Sequence, residues 1–126
     1  GVLVREDSGL ASKECVSPAE LAAVPLILPE RETVRNELLN WFGPYAEKLH
    51  ITAAGNLLYN LASLARESGS SVLTLSLDCT YEGLKFVPLN PAMESNTVLV
   101  WKKAQIFSPA AAALIEFTKK YISCME

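Results

Sequence analysis

The chain has 126 residues, half of them hydrophobic, and a formal net charge of −3. That length suits one domain with a genuine core, and the apolar content argues against disorder. The acidic balance, with no Lys/Arg cluster interleaved with aromatics, disfavours direct nucleic-acid binding by this chain.

In chain order, VLVR at residues 2–5 reads as a short strand. Ser17-Pro18-Ala19-Glu20 is a capping box with proline at the first helical position, and Pro25 keeps the helix it opens short. Pro25-Leu26-Ile27-Leu28 is a continuous apolar run, the pattern of a strand buried on both faces of a parallel sheet. In the following helix Val34, Leu38, Trp41 and Phe42 share a stripe, and Gly43-Pro44 ends it. Residues 49–54 read as a strand. Gly55-Asn56 then opens a helix whose Leu57, Leu61, Leu64 and Ala65 share a face.

The break Ser68-Gly69-Ser70-Ser71 precedes a strand expected over residues 72–77. A turn at Glu82-Gly83 leads into a strand over residues 84–89, where Pro88 suggests a sheet edge. TVLVW at residues 97–101 reads as the last strand. Ser108-Pro109 starts a closing helix with Ala112, Ile115 and Ile122 on its buried side. Strands alternating with helices imply an α/β fold: a Rossmann-like mixed, mostly parallel sheet with helices on both faces.

Catalytic and cofactor signatures are missing. The opening VLVREDS resembles the acidic strand end of a phospho-acceptor receiver domain, with Thr74 and Lys102 as downstream partners. LHITAAGN at residues 49–56 holds no carboxylate for such a site, so Glu6 and Asp7 are read as solvated charges. There is no G-x-S-x-G elbow or glycine-rich phosphate loop, and His50, the single histidine, is read as structural. Cys15, Cys79 and Cys124 are odd in number and widely spaced, with no CxxC. No metal or cofactor is expected, and a reducing cytoplasm fits best. No segment reaches the roughly 18 apolar residues of a membrane span.

Polar groups at strand ends remain. Pro29, Glu30, Arg31, Glu32 and Thr33 follow one strand, Asn56 follows the next, and Thr74 and Ser76 lie on a third. Parallel neighbours would bring them to one crevice at the carboxyl edge of the sheet, where open α/β folds hold ligands. The competing reading is that Thr33 and Asn56 only cap helices.

The order LASKECVSPAELAAVPLILPE, LHITAAGNLLYNLASLARE, LKFVPLNP and TVLVWKKAQIFSPAAAALIEFTKKYI resembles the effector-binding region of LysR-type transcriptional regulators across nearly the whole chain. NLLYN, FVPLNP and VWKKAQIFSPAA resemble Firmicutes-type members in particular. The resemblance implies a fold like one half of a type 2 periplasmic binding protein. Residues 1–16 would be a first crossover, 17–95 the second effector-binding subdomain, and 96–126 a return strand with a helix of the first subdomain. It further implies a small polar or anionic effector, self-association, and DNA binding only through a helix-turn-helix outside this sequence. The start on GVLVRED without methionine hints at such a fragment.

In that setting Pro29 to Thr33 would supply helix N-terminal donors, Arg31 a counter-charge, and Asn56, Thr74 and Ser76 side-chain hydrogen bonds. The run Ser68-Gly69-Ser70-Ser71 departs from the family's G-L-G turn, and its serines either keep the backbone small or add donors toward the ligand. An interaction module without retained ligand binding is the alternative, with the hinge strands at residues 2–4 and 98–100 exposed for self-association. A free-standing enzyme is the weakest reading, because no nucleophile–base pair or metal cluster is present.

Overall fold

The structure is a computed structural model that describes residues 1–77, 79–96 and 98–124. Two units divide it: Gly1–Ser95, and a second beginning at Asn96.

The first unit is built on a five-stranded sheet in the order β3-β2-β4-β1-β5. These strands are β1 (Val2–Arg5), β2 (Pro25–Pro29), β3 (His50–Gly55), β4 (Ser71–Leu73) and β5 (Leu84–Val87). β2 runs parallel to β3 and β4, while β1 is antiparallel to β4 and β5. Four strands therefore share one direction and β1 opposes them, the mixed, mostly parallel sheet the alternating pattern predicts.

Three helices complete the unit: α1 (Pro18–Ala22), α2 (Glu32–Phe42) and α3 (Leu58–Ser68). Leu26, Ile27 and Leu28 on β2 are fully buried. Because strand side chains alternate, Leu26 and Leu28 join Val2, Val4, Leu38 and Phe42 on one face, and Ile27 joins Leu3, Ala62, Ala65 and Val72 on the other. α2 covers the first face and α3 the second. Val34 and Trp41 pack at the margin of the first core, so the predicted α2 stripe is the one observed.

α3 is turned from its expected face. Ala62 and Ala65 are buried with Leu58 and Leu61 against them, while Leu57 and Leu64 are exposed. Leu57 sits at the N-cap, ahead of the first helical residue, so the apolar periodicity counts from Leu58. Gly69 ends α3 in the left-handed region at φ 72°, which costs glycine little.

The capping box at α1 is formed as the sequence predicts. Ser17 Oγ accepts from Glu20 N, and Glu20 Oε2 accepts from Ser17 N at 2.8 Å. Lys13 Nζ also lies 2.7 Å from Glu20 Oε1. Lys13 and then Ser17 hold the Glu20 carboxyl down at about 2.

At the amino edge of the sheet the β2–β3 register shifts between Leu26 and Ile27. Thr52, which has no partner in that register, donates to Leu26 O at 3.1 Å and lies 3.1 Å from Ser70 Oγ, to which Ser68 Oγ donates at 3.0 Å. The serines at residues 68–71 thus brace an irregularity at the end of the sheet remote from the strand termini, and the reading of them as donors toward a ligand is corrected.

Other expectations are revised. β4 ends at Leu73, Thr74 N still donates to Gly1 O at 3.0 Å, and Leu75 and Leu77 emerge exposed. β5 is an edge strand, as Pro88 predicts, and Leu89 makes an isolated parallel bridge to Val16. Residues 2–4 are interior to the sheet and buried, so they offer no surface for self-association. Asp7 is exposed, as read, and also accepts two hydrogen bonds from Arg5, at 2.9 and 2.6 Å, which hold its carboxyl below the usual range.

In the second unit Val98, Leu99, Val100 and Trp101 form no strand among the described residues, and Thr97 of the predicted strand lies outside them. α4 (Pro109–Ser123) is capped by Ser108, which accepts from Ala111 N at 3.3 Å. Ala112 and Ile122 are exposed and Ile115 is half-buried, and Leu114, Phe117 and Tyr121 are also exposed. Lys119 pairs with Glu116 and lies 5.7 Å from the Trp101 ring centre.

Two expected outcomes follow from this packing. Ile27→Ala removes a side chain sealed between the β2 strand and α3, and urea unfolding should show a loss of about 2–5 kcal/mol. The Glu20 carboxyl is depressed on folding, so its contribution is present above pH 4.5 and fades as pH falls toward about 2. Denaturant midpoints across that window should fall more steeply for the wild type than for Glu20→Gln.

Candidate functional site

The parallel strands β2, β3 and β4 all end at one edge of the sheet, where α2 begins on one face and α3 on the other. β2 leads through α2 to β3 on one side of it, and β3 leads through α3 to β4 on the other side. This reversal leaves a crevice beyond the strand ends. A cleft of about 480 Å³ lies there.

Its wall starts at Pro29 and Arg31 after β2 and continues along α2 with Val34, Glu37 and Leu38. Gly55 and Asn56 after β3, with Leu58 and Leu61 of α3, form the opposite side. Thr74 and Leu75 follow β4, and Met93, Glu94 and Ser95 close the rim. The floor is apolar and the rim carries one arginine and two carboxylates.

Both helices that begin here lack a side-chain cap. The N-cap of α2 is Arg31 and that of α3 is Leu57, and neither makes a capping hydrogen bond. α1 and α4, by contrast, are each capped by a serine. The first-turn N–H groups of α2 and α3 are therefore left to water or to a ligand, and their dipoles favour negative charge. The two turns are also tied together. Asn56 Nδ2 donates to Glu30 Oε2 at 3.0 Å, and Glu30 N donates to Gly55 O at 3.2 Å.

Of the sequence-predicted residues, Pro29, Arg31, Asn56 and Thr74 line the cleft. Glu30 stands behind it as the partner of Asn56. Glu32 and Thr33 lie in the first turn of α2, exposed and off the wall, and Ser76 is exposed beyond the end of β4. Neither Thr33 nor Asn56 caps a helix, which removes the capping explanation for their presence. Sequence reasoning missed Glu37, one turn beyond Thr33 on α2, and the rim segment at Met93 and Glu94. The i+3 spacing from Val34, which lines the cleft, was a signal for Glu37; nothing local marks Met93, which arrives through the chain's return past β5.

Among the described residues no group of His, Cys, Asp and Glu is placed to hold a metal ion. His50 opens the exposed edge strand β3, and the three cysteines are free and exposed. Among the described residues no helix is long and apolar enough to cross a membrane.

A cleft at the strand ends of a sheet of this order defines a mixed α/β domain with a periplasmic-binding-protein-like fold. Residues 1–123 match the model of the LysR substrate binding domain, and the chain belongs to that family. Two solved structures share the fold. HinK, a LysR family transcriptional regulator from Pseudomonas aeruginosa, aligns over 95% of this chain and 43% of its own with TM-score 0.71 and 18% identity. A second protein of that organism assigned to the LysR family aligns over 96% of this chain and 45% of its own, with TM-score 0.63 and 16% identity. This chain thus spans less than half the length of either. No curated protein sequence matches it.

The Asn56–Glu30 contact generates a test. Asn56→Asp removes the Nδ2 donor and sets a second carboxylate against Glu30, so the variant's unfolding midpoint should drop relative to wild type, more at low salt than at high salt, where like charges are screened. An unchanged midpoint in the variant would mean the amide does not hold the two turns together.

Proposed function

We propose that this chain is the effector-sensing part of a bacterial, cytoplasmic transcriptional regulator, and that it has no enzymatic role. The observation that carries the reading is the pair of uncapped helix N-termini, α2 and α3, facing one 480 Å³ cleft beside Arg31. The N–H groups and Arg31 suit a carboxylate or similar anion, and Leu38, Leu61, Leu73 and Met93 suit an apolar body attached to it. Glu37 and Glu94 disfavour a second negative charge.

The effector would sit between this subdomain and another, and closure would change the oligomer that holds DNA. Only differential affinity for open and closed arrangements can drive such a change. Residues 1–16 and 96–126 would then be crossover segments flanking the subdomain at 17–95, and the division after Ser95 supports the second boundary. NLLYN, FVPLNP and VWKKAQIFSPAA support kinship with Firmicutes-type members. Self-association is the second reading, favoured by the exposed apolar residues Val98, Val100, Leu114 and Phe117; light scattering that shows a strict monomer at high concentration would remove it.

3-Phenylpropionate, a carboxylate on an apolar body, is a suitable calorimetric probe of the cleft. Binding should be weak, in the millimolar range, because on this reading a second subdomain would supply the other wall, and Arg31→Ala should weaken it by roughly tenfold, the order of one charge-assisted hydrogen bond. Unchanged affinity in the variant would take Arg31 out of the site, and micromolar binding by this chain would contradict a cleft completed by a second subdomain.

A further inference from the structure

The rim of the cleft at Met93, Glu94 and Ser95 has little of its own to hold it. Upstream, the chain is pinned by Val16 N to Pro88 O at 2.9 Å and Asn90 N to Val16 O at 2.8 Å. Beyond Asn90 residues 91–95 belong to no helix or strand. Among the described residues one hydrogen bond reaches them: Trp41 Nε1 donates to Pro91 O at 2.8 Å, across 50 residues of sequence.

Trp41 is well placed to act as a fixed post. Its ring meets Phe42 edge-on, with centroids 5.0 Å apart, and Phe42 is buried in the core under α2. Trp41 and Met93 pack against that same core. Trp41 does not line the cleft, whereas Val34, Glu37 and Leu38, on the same helix, do. One rigid helix therefore carries part of the cleft wall and also fixes the start of the rim.

We propose that Trp41 is a positioning residue for the cleft: its indole N–H, held by α2, sets where Met93 and Glu94 stand relative to Val34 and Leu38, and so sets the width of the ligand site. This rests on the cleft being the effector site. An indole at that place supplies both a flat ring for the core and a donor at its outer edge, and phenylalanine supplies only the ring. Trp41→Phe separates the two contributions.

The test uses the chain with ¹³C-labelled methionine methyl groups, the Met93 signal being assigned by its loss in Met93→Leu. In Trp41→Phe the Met93 signal should move, and the affinity for 3-phenylpropionate should fall by about two- to tenfold, the range of one hydrogen bond. Ile27→Val, a core change on the opposite face of the sheet, should lower the unfolding midpoint and leave both readouts in place. An unmoved Met93 signal with unchanged affinity in Trp41→Phe overturns the proposal, as does an equal effect from Ile27→Val. Probe binding that is absent in the wild type overturns the cleft reading itself, and the role of Trp41 with it. Arg31-dependent binding that ignores Trp41→Phe overturns only the role of Trp41.

Discussion

The burial of β2 on both faces is the constraint from which the rest of the first unit follows. Leu26 and Leu28 face one way and Ile27 the other, all without solvent contact, so α2 and α3 must lie on opposite sides of the same strand. Short connections then place both helix starts at the carboxyl ends of the parallel strands. The cleft is a geometric consequence of satisfying the core, not an addition to it.

That arrangement creates a polar demand as well as a space. Helices that start at the cleft present unpaired N–H groups, and this chain leaves those of α2 and α3 without side-chain caps while using serine caps at α1 and α4. Stability is kept at the same edge by other means: the turns bind each other through Asn56 and Glu30, and the rim is held by Trp41. Groups that would ordinarily be consumed in local structure are thereby left available.

The fold was legible where local pattern and burial coincide. The apolar run of β2, the α2 stripe, the α1 capping box and the edge position near Pro88 all appear as read, since each depends on neighbours in sequence or on burial that composition reveals. The readings that failed depended on partners far along the chain. β4 ends at Leu73, short of residue 77, residues 98–101 form no strand among the described residues, and Leu114, Phe117 and Tyr121 of α4 are exposed. Periodicity records that a surface is apolar; it does not record whether anything covers it.

The candidate site divides in the same way. Pro29, Arg31 and Asn56 were visible because they stand at strand ends, a position the α/β pattern defines. Sequence by itself determined the alternating fold, the βα turns and the family resemblance, because these reside in local spacing and order. Only the tertiary structure decided that Glu30 accepts a hydrogen bond from Asn56, that Ser68 and Ser70 bond at the opposite edge, and that Met93 joins the cleft. Those roles depend on contacts between residues far apart along the chain, and such distances close only when the sheet has formed.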